Sequence, residues 1–477
     1  MRILGTILLI SALAACSFAK VAETFEMGTP PRSGLAGNNV SDIAAGNGVI
    51  WFGSGYGLSR TTDQGQTFES FGPEHGIGNG SISALWAHGD TVLVATANDT
   101  LTAVSNDYLD NGTGLSISFD GGDSWEHIPQ PPGDYTTVQN LSYDIAVVDS
   151  TIWLANFGAG LVRGDGFGQR WEIATPDTFP FNPGANLNHR AFSAINADGV
   201  LWVGTAKGVN KSTDNGLTWV NFNATNQSNP ISGDFVNALA YQKADGKKII
   251  WASTWKAEGT DEYYAVSKTE NGGATWQTML HDIRPANFSF DGKIVYVATY
   301  DGLYKSDDFG ENWYKFPPIT DTITGDHVYT SEYYSVYADN GTVWVGTSDG
   351  LARSSDNGYT WDVNRAYKPT GQDGVPRVYA YPNPFSSTRT NLVGDDGHVR
   401  LQYNTTGSTY VTVRIFDFAM DLVTTVADNK YVSTEGDHNE VWNGRNDYGD
   451  LVANGVYFFS VELENEGTFW GKIMIVN

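Results

Sequence analysis

Carboxylates offer the most chemistry in this chain, which carries 54 Asp and Glu against 28 Lys and Arg, a formal net charge of −26. Two acids roughly 5–10 Å apart suffice to hydrolyse a glycosidic bond. So many acids offer numerous pairs, but sequence spacing cannot reveal a pair assembled from separate strands. The most regularly placed acids lie in a turn of the form Ser/Thr-x-Asp-x-Gly-x-Thr-Trp. Residues 212–219 and 354–361 match it at every position; 61–68, 118–125, 269–276 and 306–313 carry conservative changes, and 163–171 is a degenerate copy. In such a turn Asp accepts hydrogen bonds from the turn's own amides, Gly supplies a positive φ and the aromatic packs against a neighbour. Asp63, Asp120, Asp214, Asn271, Asp308 and Asp356 are therefore expected to be structural, not calcium ligands or catalysts.

The other reactive residue types thin out once assigned. Of 15 tryptophans, six sit in the repeated turns (Trp125, Trp171, Trp219, Trp276, Trp313, Trp361) and five in apolar runs that read as core (Trp51, Trp153, Trp202, Trp251, Trp344). Trp442 lies in a Trp-Asn-Gly turn near the C-terminus, which leaves Trp86, Trp255 and Trp470 without a packing explanation. Arg60, Arg163 and Arg353 share one repeated position, where other copies have Lys211, Lys268 and Lys305, so they mark a recurrent surface feature. Arg32, Arg190 and Arg284 do not repeat and form no motif. The eight histidines are dispersed, and no zinc-ligand spacing, nucleophile elbow or phosphate loop occurs. No cofactor is expected, and the acidic balance argues against a nucleic-acid partner.

The elements that position these residues recur about every 49 residues. Seven copies hold an apolar run (49–53, 92–96, 152–155, 201–205, 249–253, 294–298 and 343–347), then a Gly-Leu-like strand, then the aspartate turn. Near-continuous β-branched and aromatic runs suit strands buried on both faces. The period is that of a four-stranded propeller blade, which predicts an all-β chain: a seven-bladed β-propeller followed by a small sandwich. A ring closes without an exposed edge, here by an expected pairing of residues 21–25 with the last blade near Trp361, Asp362 and Val363.

The repeated turn over residues 40–365 resembles the Asp-box (BNR-type) propeller superfamily, which includes sialidases, sortilin-like receptors, xyloglucanases and sensor propellers. A sialidase would need a convergent arginine triad and an Arg-Ile-Pro signature. The signature is absent, and the regular arginines repeat around the ring instead of converging. Xyloglucanase-like enzymes generally place their cleft between two propellers, and one ring is expected here. A glycoside hydrolase or lyase on this ring stays open as the alternative to a binding protein.

Both ends of the chain point to export. Residues 1–19 read as a signal peptide, with Arg2 before a short apolar stretch. Two processing sites compete: Ser17-Phe18-Ala19, and the lipobox-like Leu13-Ala14-Ala15-Cys16, which would lipidate Cys16. Cys16 is the only cysteine, so no internal disulfide forms. No later run reaches the length of a transmembrane helix. Residues 20–367 form the expected propeller, 368–377 a linker and 378–477 an Ig-like sandwich. In the last segment the Asn-Pro-Phe opening at 383–385, Trp442-Asn443-Gly444, Asn454-Gly455-Val456-Tyr457 and the ending at 471–476 resemble the FlgD-type Ig-like domain. That module is kin to the sorting domains of type IX secretion substrates. The resemblance implies an outer-membrane secretion machine as partner, and a secreted or cell-surface location.

Binding residues are expected on the loops that join blades and the loops between second and third strands, which share one face. The longest departures from the repeat fall there. They contribute Asp107, Tyr108 and Asp110, then Trp255, Glu258, Asp261, Tyr263 and Tyr264, with His189, Arg190, Asp326, His327 and Tyr333 from inter-blade loops. The expected ligand is a protein or a glycan.

Overall fold

The computed structural model describes residues 34–101, 108–129, 140–257, 261–367, 370 and 375–477. Each apolar run becomes the second strand of a four-stranded antiparallel sheet, and each sheet is a contiguous meander. The seven blades occupy 40–71, 81–129, 142–174, 191–222, 235–279, 285–315 and 333–364. Innermost strands of successive blades pack side by side around the ring, and that of blade seven (Tyr333–Asp339) meets that of blade one (Val40–Gly46). There Ser335 Oγ donates to the Val40 carbonyl at 3.2 Å, and the Gly350 amide donates to the Asn38 carbonyl at 2.9 Å. Blade seven draws its four strands from its own segment; the expected closing strand at 21–25 lies outside the described residues.

Burial explains why the second strands read as unbroken apolar runs. Trp51, Phe52, Trp153, Leu154, Trp251 and Val345 are all fully buried, since the blades on either side cover both faces of each sheet. The aspartate turns then lock blade to blade. In blade six, Gly310 has φ +84° and approaches Trp251 of blade five so closely that a Cβ would lie 2.5 Å from its Cη2. Trp313 meets the same indole edge-on at 6.4 Å. Trp125 against Trp51 and Trp219 against Trp153 repeat that T-shaped contact one blade apart.

The recurrent cations complete the clasp. Lys268 lies 5.6 Å from the Trp251 ring centre and donates to the Phe309 carbonyl of the next blade's turn at 2.7 Å. Arg60 likewise lies over Trp51 and donates to the Gly121 carbonyl at 2.5 Å. Arg353 over Trp344 reaches Gln64 across the closure, at 3.4 Å.

A second compact unit comprises residues 366–477 together with 329–332. It pairs a three-stranded sheet (Val378–Tyr381, Val399–Thr405, Gly436–Trp442) with a four-stranded one (Leu422–Val432, Thr409–Phe416, Gly455–Leu463, Gly467–Ile475). Strand Thr409–Phe416 alternates strictly, with Val411, Val413 and Ile415 at 0% exposure. Trp442 is buried and its indole N–H donates to the Arg445 carbonyl at 2.9 Å, closing the Trp-Asn-Gly turn. Trp470 lies instead on the outer face, half exposed, 5.3 Å from Phe416. Among the described residues no helix is long and apolar enough to cross a membrane.

Candidate functional site

Every innermost strand of the ring carries one register irregularity against its second strand, and it falls at the same place in all seven blades. The extra residues are Ser41, Ser83, Tyr143, Phe192, Asn237, Ala286 and Tyr334. A bulge re-aims the side chain it inserts, and all seven line one cavity of about 470 Å³ along the ring's axis. Sequence reading missed these positions because a bulge breaks no pattern that one strand displays alone.

Blades one and two line the cavity with Ser41, Asp42, Ser83, Asn98 and Asp110, and also with Leu85 and Trp86, a tryptophan the repeat left without a packing role. Blades three to seven contribute a continuous arc of rings. Tyr143 lies 5.3 Å from Phe192, Phe192 lies 4.4 Å from Phe235, and Phe235 stacks on Trp255 at 5.9 Å. Trp255 then meets Tyr300 at 5.6 Å, and Tyr300 meets Tyr334 at 5.9 Å. Trp255 is only 4% exposed and donates from its indole nitrogen to the Pro285 carbonyl at 2.8 Å, which fixes the plane of the arc.

Two cavity carboxylates are tuned away from the ordinary range. Asp144 follows the bulge in blade three and accepts from Ser193 Oγ at 2.6 Å and from the Ile145 and Ala194 amides. Burial in the channel wall outweighs these three donors and pushes its pKa up to about 6. Asp110 faces Asp99 directly across the strand pair of blade two. Burial, with Asp99 as its neighbour, pushes Asp110 up to about 7. Each therefore holds a proton well above the usual carboxylate range.

The aspartates of the repeated turns go the opposite way. Asp214 Oδ1 accepts from Ser212 Oγ and from the Thr218 amide, and its Oδ2 accepts from Thr218 Oγ1 at 2.6 Å. Asp63, Asp120, Asp308 and Asp356 repeat this arrangement, and in all five the turn's own donors hold the pKa down to about 2. Asn271 substitutes in blade five by accepting from the Thr275 amide and donating to Thr275 Oγ1.

The expected loop residues spread over several environments. Trp255 joins the arc, and half-buried Tyr264 stands 6.1 Å from it. Tyr263 turns elsewhere, its ring 5.2 Å from His281 and its hydroxyl 3.1 Å from Thr278 Oγ1. Asp261 is exposed. His189 is buried, bonded through Nε2 to Asp177 at 2.9 Å and through Nδ1 to the Asn182 amide. Arg190 is buried too, donating to the Pro183 carbonyl and lying 5.2 Å from the Phe157 ring. Both brace loop 175–190. Tyr333 is buried beside the ring closure, while Asp326 and the His327 carbonyl hold Arg365. Tyr108 opens a strand of blade two. Cys16, Asp107 and Glu258 lie outside the described residues.

No family model matches the chain, and no curated protein matches it. Among solved structures it is similar to the GH74 enzyme of Niastella koreensis, at 12% identity and a TM-score of 0.53 over 94% of this chain and 75% of that one. An ancestral GH74 enzyme gives 17% identity and 0.52 over 93% and 63%. PorZ, a surface component of the type-IX secretion system of Porphyromonas gingivalis, gives 16% and 0.33 over 92% and 66%. At these identities the likeness is one of fold: the chain is a β-propeller.

Proposed function

We propose that this protein is an exported, cell-surface propeller that binds a protein or glycan ligand at the mouth of its channel. The observation that carries this reading is the arc of rings from Tyr143 to Tyr334 around one concave, mixed-polarity cavity. Concave sites lined by aromatics with a few convergent polar groups are the usual form of ligand pockets. The likeness of the repeated turns to those of Asp-box propellers supports a ring of that kind, with the turns as its rivets. The C-terminal sandwich, read as a FlgD-type module, handles export or anchoring, and residues 1–19 direct the chain out of the cytoplasm. The test is a glycan-array screen beside a capture experiment from the cell surface, each with wild type and a Tyr143→Ala/Tyr334→Ala variant. Loss of binding with an unchanged melting temperature supports the reading; undiminished binding by the variant removes it.

A second reading, hydrolysis of a glycosidic bond in the same cavity, draws on the two proton-holding carboxylates Asp144 and Asp110. It predicts sugar release from a polysaccharide panel, abolished by Asp110→Asn. Absence of release across the panel rules it out.

A further inference from the structure

The cavity on the ring's axis carries charge of one sign. Its charged lining residues are Asp42, Asp110 and Asp144, and among the described residues no Lys, Arg or His lines it. Acids elsewhere on the ring are matched by cations: Asp198 takes Lys243 and Lys248, Asp234 takes Lys207, and Glu311 takes Lys268. Asp144 has neutral donors instead, the Ser193 hydroxyl and the Ala194 amide on Oδ2 and the Ile145 amide on Oδ1. A carboxylate has about four acceptor sites, so Oδ1 keeps one to offer. Asp42 occupies the matching position of blade one, just after the bulge, and its charge bears on Asp144. Both residues are half-buried and both line the cavity.

Carboxylates set beside flat aromatic faces recognise one chemical group best. A guanidinium stacks its plane on rings and points its edge of N–H donors at carboxylate oxygens. The wall around Asp144 offers both. Tyr143 precedes it in the chain, and its partner Ser193 follows Phe192, so it stands with the first two rings of the arc. Asn98, Asn196, Asn237 and Asn287 supply further acceptors along the wall. An ammonium is more strongly hydrated and has no plane to stack, so the arc gives it less. Among biopolymers the guanidinium belongs to proteins. Arginine carries it on a slender aliphatic stem that can enter a channel while the main chain stays at the mouth. The net charge of −26 favours the approach of such a group. We infer that the cavity receives an arginine side chain of a protein ligand, held at its edge by Asp144 and Asp42 and on its face by the aromatic arc. The inference rests on the binding reading above and narrows its ligand from a protein or glycan to a protein that presents arginine.

The test uses the full chain in about 0.15 M salt, where exposed charges more than about 8 Å apart are largely screened. Calorimetric titration compares the peptide acetyl-Gly-Arg-Gly-amide with three others. Its citrulline counterpart keeps the plane and loses the charge, its lysine counterpart keeps the charge and loses the plane, and a glucosamine trimer brings a cation from the glycan side. Wild type should bind the arginine peptide roughly 10- to 100-fold more tightly than the citrulline peptide. The lysine peptide should fall between, and the glucosamine trimer should bind more weakly than arginine. Asp144→Asn should lower arginine affinity toward that of citrulline and leave citrulline binding unchanged. Asp149→Asn/Asp245→Asn, which removes two exposed charges outside the cavity, should bind arginine as wild type does. Equal binding of the arginine and citrulline peptides overturns the assignment, and that comparison needs no variant to fold. So does binding of lysine or the glucosamine trimer as tightly as arginine, an equal loss in the surface variant, or no binding of any peptide. If a ligand from the array or capture screen still depends on Tyr143 and Tyr334, the binding reading survives that failure. With no such dependence and no arginine binding, both fall.

Discussion

Asp214 and Asp144 are the same residue type in opposite service. Asp214 sits at the surface with both oxygens occupied by Ser212 and Thr218, so its charged form is favoured. Its folded pKa, about 2, lies below the ordinary 3.8. Between those values the unfolded chain binds protons that the folded one refuses, so stability present above pH 4 is lost as pH falls toward 2. Asp144 and Asp110, held up at about 6 and 7, act with the other sign. The folded protein keeps their protons where the unfolded chain has released them, so stability rises as pH falls from about 7 toward 4. Chemical denaturation across pH 2–8 should therefore peak near pH 4–5. Asp144→Asn should flatten the limb above the peak, and Asn at Asp63, Asp120, Asp214, Asp308 and Asp356 together should flatten the limb below it. Asn271 already shows that the amide fits the turn. A profile unchanged in both variants would refute these assignments.

The turn is a packing device as much as a hydrogen-bonded one. Gly310 and Gly292 both have positive φ, +84° and +58°, yet only Gly310 has a neighbour, Trp251 of the preceding blade, in the space a Cβ would take. Gly292→Ala should cost about 1 kcal/mol for backbone strain alone. Gly310→Ala should cost about 2–4 kcal/mol, because the strain adds to overpacking against a buried indole. Urea unfolding of the two variants checks this, and equal losses would mean that the turn does not clasp its neighbour. The innermost strands teach a different lesson. Their bulges at Tyr143, Phe192 and Tyr334 set the cavity wall, and nothing in the alternation of one strand announces them.

The ring is stable because each blade covers the next, and closure makes the covering complete. Deleting blade seven (333–365) would bare the apolar faces around Tyr296 and Phe52, both fully buried. The truncated chain should lose its cooperative transition and bind a hydrophobic dye; native-like near-UV circular dichroism would contradict this. The architecture was legible because a period of about 49 residues can bury its strands only by closing on itself. Seven copies of one turn fixed the blade count, and the turn's chemistry foretold that its aspartates would face their own amides. The site was legible only in part, where Trp86 and Trp255 stood out as tryptophans that the repeat did not require and Asp110 lay in a long departure from it. Tyr143, Phe192, Phe235, Tyr300 and Tyr334 come from five different blades. Local chemistry and repetition are written along the chain, so the sequence alone determined the blades and their rivets. Which side chains converge on the axis depends on seven bulges and on closure of the ring, and only the tertiary structure could decide that.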